Sequence, residues 1–218
     1  MKKIIFAVLA VFIFPLFVSA HSPTIVREET TQVKDPEISQ AFYGQLNGHP
    51  HYFVIDSDEE FDLYTGIFVP DIPGAETDFS AEVIKIDGEK REVIGVLNGK
   101  SFDWEPLFEP FAGDDYFRGP DFSLQVPAGQ YKIMVYNQSF RGKYTLVIGQ
   151  KESFSPIVLG KMLITLPVLK MGFLDKSFYS VFLNYIGLGF LIILAILFGA
   201  IKLIRRKRKE SEETKIKK

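Results

Sequence analysis

The chain has 218 residues, 47% of them hydrophobic, and no cysteine, which excludes a disulfide framework, a thiolate metal site, a cysteine nucleophile and a lipidated cysteine. Its formal charge of −2 hides a split: residues 21–176 carry 14 basic and 24 acidic side chains, near −10, whereas residues from Lys202 onward carry 9 basic and 3 acidic, near +6. So acidic a globular part argues against nucleic acid as its ligand and favours cationic partners.

Lys2 and Lys3 precede an apolar run from Ile4 to Val18, and Val18-Ser19-Ala20 places small or medium residues where a signal peptidase reads them. The run contains Pro15 and is shorter than the roughly 20 residues a bilayer requires, so residues 1–20 are expected to be a cleaved signal peptide. The mature chain would then start at His21. Residues 21–37 are polar, with Pro23, Thr30, Thr31 and Pro36, and predict a flexible N-terminal arm.

From residue 38 the pattern is β. Strands are predicted over 40–46, 51–56 and 61–69, where Phe61, Leu63, Ile67 and Val69 alternate with polar or smaller neighbours, with breaks at Asn47-Gly48 and Ser57-Asp58. Residues 70–78 read as a loop. Strands over 82–86 and 91–97 follow, with Asp87-Gly88 and Asn98-Gly99 as hairpin signals. Pro106, Pro110, Gly113, Gly119 and Pro120 predict the longest loop of the domain over 105–120. Strands over 122–126, 131–137 and 144–150 complete it, joined by Pro127-Ala128-Gly129 and a turn around Arg141-Gly142. Eight or nine short strands across 38–150 give the expected fold class: all-β, an antiparallel sandwich or jelly roll.

Residues 151–176 form a juxtamembrane segment, apolar from Phe154 to Leu174 except for Lys161 and Lys170. Ser155-Pro156 marks a helix start and Pro167 a stop. Two readings stay open: a short helix docked on the sandwich, or one lying at headgroup level with its lysines snorkelling. Ser177 to Ile201 contains no charged side chain, so residues 177–204 are expected to be a single transmembrane helix. Tyr179 and Tyr185 stand at its outer end, and Lys202, Arg205, Arg206, Lys207, Arg208 and Lys209 at the other, which keeps the basic tail, 205–218, in the cytoplasm. The export signal and the positive-inside bias agree on a type I single-pass protein of the cell membrane, with a bacterial envelope the easiest fit. Ala195 and Gly199 form a small-xxx-small pair that would admit a partner helix.

Two groups of residues carry a resemblance. Ala128-Gly129, then Tyr131, Ile133 and Val135, then Gly142, Tyr144, Leu146 and Ile148 resemble the closing hairpin of the bacterial pre-peptidase C-terminal domain, a jelly-roll module of secreted peptidases. Tyr52-Phe53-Val54-Ile55 with Phe61, Leu63 and Ile67, and the stretch from Asp78 to Gly88, are similar to that family's opening strands, so the resemblance covers about residues 38–150. It implies a non-catalytic module like those members that bind matrix or carbohydrate, some with calcium in acidic loops. The membrane anchor is a departure from the family pattern.

Three constellations are candidates for chemistry. Cleavage would leave His21 with a free amine and an imidazole, and with His49 and His51 around Pro50 this is a nitrogen set that suits Cu(II). The 105–120 stretch interleaves Trp104, Phe108, Phe111, Tyr116 and Phe117 with acids, a composition suited to a sugar or peptide platform. Asp114, Asp115 and Asp121 are the calcium alternative in the same stretch. No Gly-x-Ser-x-Gly elbow, phosphate-cradling loop or His-Glu-x-x-His helix occurs, so no enzymatic activity is expected. Asn137-Gln138-Ser139 is a glycosylation sequon in a eukaryotic host only. The expected function is a membrane-anchored recognition or scaffolding module outside the cytoplasm, whose partners are membrane lipid and another envelope protein or glycan, with copper binding through His21 as the alternative.

Overall fold

Side chains that alternate along a strand emerge on opposite faces, so a segment with every second residue apolar buries one face only. That rule builds the molecule. Phe42 and Leu46, Phe53 and Ile55, Phe61 and Leu63, Ala81 and Val83, Tyr131, Ile133 and Val135, and Tyr144, Leu146 and Ile148 all turn inward into one core. Each fully buried aliphatic or aromatic side chain there contributes about 1.5–3 kcal/mol of transfer free energy. The computed structural model describes residues 21–110, 112–152, 164–182 and 185–216.

The strands are β1 (Ser22–Ile25), β2 (Thr30–Val33), β3 (Gln40–Asn47), β4 (His51–Ser57), β5 (Phe61–Pro70), β6 (Ser80–Asp87), β7 (Lys90–Leu97), β8 (Glu105–Glu109), β9 (Asp114–Val126), β10 (Gly129–Tyr136) and β11 (Arg141–Ile148). They form two sheets, one of order β1-β3-β11-β5-β9-β8 and the other β2-β4-β10-β6-β7. The chain is a mostly-β, two-sheet sandwich. Strands β3 to β7, β10 and β11 lie where the alternation predicts them, to within two or three residues at each end.

Four expectations change. Residues 21–37 are not a flexible arm: β1 pairs in parallel with β3 and β2 in parallel with β4, so the two strands close one edge of each sheet. Their polar composition suits half-exposed edge strands whose backbone groups, rather than side chains, do the pairing. Residues 105–120 are not a long loop but a β8–β9 hairpin. Pro106 is tolerated on the edge strand β8, and Gly119-Pro120 sits in a bulge where β9 passes Ile67 of β5. Asn98-Gly99 does not turn a hairpin. Gly99 opens a 3-10 turn (Gly99–Ser101), its N–H donates to Ser80 Oγ at 3.1 Å, and any Cβ there would strike the Phe79 carbonyl. The sequon Asn137 is buried, its Nδ2 donating to Glu76, Asp78 and the Arg141 carbonyl, with Phe140 completing the β10–β11 turn at φ +49°. No glycan fits on an amide so engaged.

Past the sandwich, residues 164–168 are α-helical and pass through Pro167 without stopping, followed by a π-helical turn (Leu169–Phe173), a 3-10 turn (Phe178–Val181) and helix α1 (Tyr185–Ile216). The helix expected from Ser177 thus starts at Tyr185 and carries on into the basic tail. Among the described residues no helix is long and apolar enough to cross a membrane, the side chains of Tyr185, Ile186, Leu188 and Phe190 lying outside the described set. The signal peptide expected at 1–20 and the helix start at Ser155-Pro156 also fall outside it.

Candidate functional site

The outer face of the six-stranded sheet is built from the residues that alternate with the core: Ala41 and Tyr43 on β3, Thr145 and Val147 on β11, Phe68 on β5 and Tyr116 on β9. This face is too apolar for open water, and the chain covers part of it with its own residues 164–176. Leu169, Phe173 and Leu174 pack against Ile25 and Tyr43, the Phe173 and Tyr43 rings meeting edge-on at 5.5 Å. The π-turn, closed by Leu174 N–H donating to the Leu169 carbonyl at 2.8 Å, places residues 169 and 170 and residues 173 and 174 on the same side.

A buried ion pair fixes this strap. Lys170 is 0% exposed and Asp114, the first residue of β9, only 2%, with Nζ donating to Oδ1 at 2.8 Å. Lys176 reaches the same Oδ1 at 3.0 Å and Asp115 at 3.7 Å. Lys143 of β11 sits over the Phe173 ring and bonds Asp175 at 2.6 Å, and Asp175 itself holds φ +53° to end the turn. Taking two charges out of water costs several kcal/mol per ion, so such a pair survives only in a defined geometry, and loss of one partner costs about 3–5 kcal/mol. Of the two readings left open for this segment, Lys170 follows the docked one: it points into the protein toward Asp114 instead of snorkelling to a membrane surface. Lys161 lies outside the described residues.

Beside the strap lies a cavity of about 70 Å³ lined by His21, Tyr43, Leu107, Glu109, Tyr116 and Thr145, among others. The Tyr43 and Tyr116 hydroxyls bond one another, and burial, reinforced by the Glu109 and Asp114 charges, pushes both phenols up from their ordinary range. The Thr145 hydroxyl is buried with no hydrogen-bond partner among the described residues.

The three histidines do not assemble. His21 bonds Ser39 at the edge of the six-stranded sheet, His49 is exposed in the β3–β4 turn, and His51 opens β4 of the other sheet with Nδ1 at 2.8 Å from the Tyr144 hydroxyl. Burial lowers the pKa of both His21 and His51, opposed by Glu152 and Glu29 respectively. Among the described residues no three His, Cys, Asp or Glu side chains are gathered to hold a metal. Of the three carboxylates of the calcium alternative, Asp114 meets Lys170 and Lys176, Asp115 meets Lys176, and Asp121 faces Arg118 at 3.5 Å and the Tyr64 hydroxyl at 3.4 Å.

The described aromatic residues of the candidate platform are divided between faces. Tyr116 and Phe117 are neighbours on β9 and emerge on opposite faces, Tyr116 toward the cavity and Phe117 against the core. Trp104 packs on the core, its Nε1 donating to the Gly99 carbonyl at 2.8 Å, and Gly119 makes room for its ring, since a Cβ there would stand 2.5 Å away. Phe108 is exposed on β8, and Phe111 lies outside the described residues. Of the residues that do converge, Lys176, Lys143, Asp175 and Phe173 were not singled out in the sequence, and Lys170 was noted there without its partner. The single available signal was Lys170 itself, a lone charge in an apolar run.

No family model matches the chain, and no curated protein matches it. Among solved structures it is similar to the pre-peptidase C-terminal domain of collagenase from Bacillus anthracis, at 9% identity and a TM-score of 0.34, covering 56% of this chain and 96% of that one. It is similar too to the Yersinia pseudotuberculosis-derived mitogen, at 8% identity and a TM-score of 0.35, covering 54% of this chain and 91% of that one.

Proposed function

We propose that this chain is a non-catalytic β-sandwich module anchored by one membrane helix, displayed outside the cytoplasm for recognition or scaffolding at the cell envelope. The observation that carries the reading is the strap: the residues immediately before α1 are locked onto the sandwich by the Lys170–Asp114 pair, which mounts the domain on its helix instead of letting it swing on a linker. The anchor is supported by the absence of charge from Ser177 to Ile201 and by α1 itself. Leu191, Ile192, Ile193 and Leu194 are consecutive and all exposed, so apolar side chains leave the helix in every direction, a pattern suited to lipid. Six basic residues from Lys202 to Lys209 then favour the cytoplasmic side.

Fractionation with protease protection tests this. The full chain is expected to stay in the membrane pellet through a carbonate wash, with the sandwich digested from outside and a tag after Lys218 protected. Release by carbonate, or digestion of the tag in intact cells, overturns the reading. For the recognition role, crosslinking from single introduced cysteines on the sandwich in native membranes should yield one discrete adduct with an envelope protein or glycan; a ladder of random adducts counts against it.

A further inference from the structure

We propose that residues 164–182 lie in the membrane–water interface with the face they turn away from the sandwich, so that the outer face of the six-stranded sheet looks toward the bilayer. The proposal rests on the anchoring reading above and goes beyond it by fixing how the domain sits. The stretch has two faces. Leu166, Leu169, Lys170 and Phe173 are buried on one, while Ile164, Val168 and Met171, spaced at four and three residues and so aligned on one helical stripe, are exposed on the other at 75, 51 and 45%. Phe178 and Tyr179 extend the exposed apolar surface toward α1.

The charges point the same way. Lys170, Asp175 and Lys176 are the charged residues of the stretch, and each is engaged with the sandwich, through Asp114, Lys143, and Asp114 with Asp115. The opposite face is left without charge. In water that arrangement exposes apolar surface to no purpose, whereas in the headgroup and upper acyl region apolar side chains and an interfacial tyrosine are stabilised. Position demands it as well. Two residues separate Phe182 from Tyr185, a reach of at most about 11 Å, so this face cannot stand far from the point where α1 would enter the bilayer. A second copy of the chain is a weaker occupant, because five side chains fall far short of the roughly 20–30 residues a side of a stable interface.

The absence of cysteine makes the test clean, since single substitutions carry single spin labels. The full chain, in nanodiscs of phosphatidylethanolamine and phosphatidylglycerol, would be labelled at Val168→Cys, Met171→Cys or Tyr179→Cys, at Leu194→Cys as the span reference, and at Val96→Cys as the aqueous reference. Collision ratios for oxygen against a water-soluble nickel chelate are expected to be several-fold higher at 168, 171 and 179 than at 96, and highest at 194. A lipid-like ratio at 194 with water-like ratios at 168 and 171 overturns the interfacial face and leaves the anchor standing. A water-like ratio at 194 overturns the anchor and this inference with it. Dipolar broadening between labels at 168 would make the face a contact between copies, which also overturns the proposal.

Discussion

The two sheets present unlike outer faces. The six-stranded sheet is roofed by its own chain: Tyr43 meets Phe173, and Lys170 and Lys176 converge on Asp114. The five-stranded sheet is open, with Val93 and Val96 exposed on the edge strand β7 and polar partners laid across the rest. There Lys132 sits over Tyr52, Tyr136 donates to Glu82 and Gln130 donates to Asp56. A mainly antiparallel sheet, as both of these are apart from their parallel β1–β3 and β2–β4 edges, can face water on one side when its outer residues are mixed in this way, and needs cover when they are not. The difference teaches that segment 164–176 belongs to the domain as much as any strand, although it follows the last strand and reads in the sequence as a juxtamembrane segment that could equally dock or lie at headgroup level.

The sharpest way to break this contrast is at the ion pair. Asp114→Ala leaves the wholly buried Lys170 without an anion and is expected to cost about 3–5 kcal/mol in denaturant unfolding of the full chain in detergent. Lys170→Met should cost clearly less, about 1–2 kcal/mol, because Lys176 still neutralises Asp114. If the two variants are equally mild, the strap is held by its apolar contacts and the pair is incidental.

Next in size is the hairpin that carries Asp114. Gly119→Ala drives a methyl into the Trp104 ring and should destabilise by about 1–3 kcal/mol, visible as a changed tryptophan emission; an unaltered spectrum and midpoint would mean the ring is free to move.

A smaller effect follows pH. His51 and His21 both titrate below their ordinary 6.5 in the folded chain, burial being the leading cause. The unfolded chain therefore binds more protons, so their contribution is full above pH 6.5 and lost as pH falls from there through the folded values. The unfolding midpoint should drop between pH 7.5 and pH 5.5, and His51→Gln, which keeps a partner for the Tyr144 hydroxyl, should flatten the drop; a midpoint that rises on acidification contradicts the burial of both rings. Smallest of all, Val93→Thr and Val96→Thr on the open sheet should change stability by no more than about 0.5 kcal/mol. A larger loss at either would mean that this face, too, is covered.

Alternation alone identified strands wherever one face enters the core, as in Phe61-Asp62-Leu63 or Tyr131-Lys132-Ile133, because burial on one side writes a period of two into the sequence. It missed β1, β2 and β8, edge strands held mainly by backbone hydrogen bonds, for which side chains leave little trace. It misjudged Gly119-Pro120 as loop because a bulge that needs those residues is defined only against the partner strand β5. Candidate sites fared worse. Clustering in sequence grouped Trp104, Tyr116 and Phe117, which the pleat sends to different faces, and grouped histidines that two sheets hold apart.

What the residues determined by themselves is the sandwich class, the core strands and the sharp change at residue 177 from an acidic domain to an uncharged run with a basic end, since composition and periodicity are local properties. Only the tertiary structure decided where Lys170 points. Its partner Asp114 lies 56 residues earlier, and a charge in an apolar segment has two low-energy solutions, water or a buried counter-charge, between which nothing but the packed fold chooses.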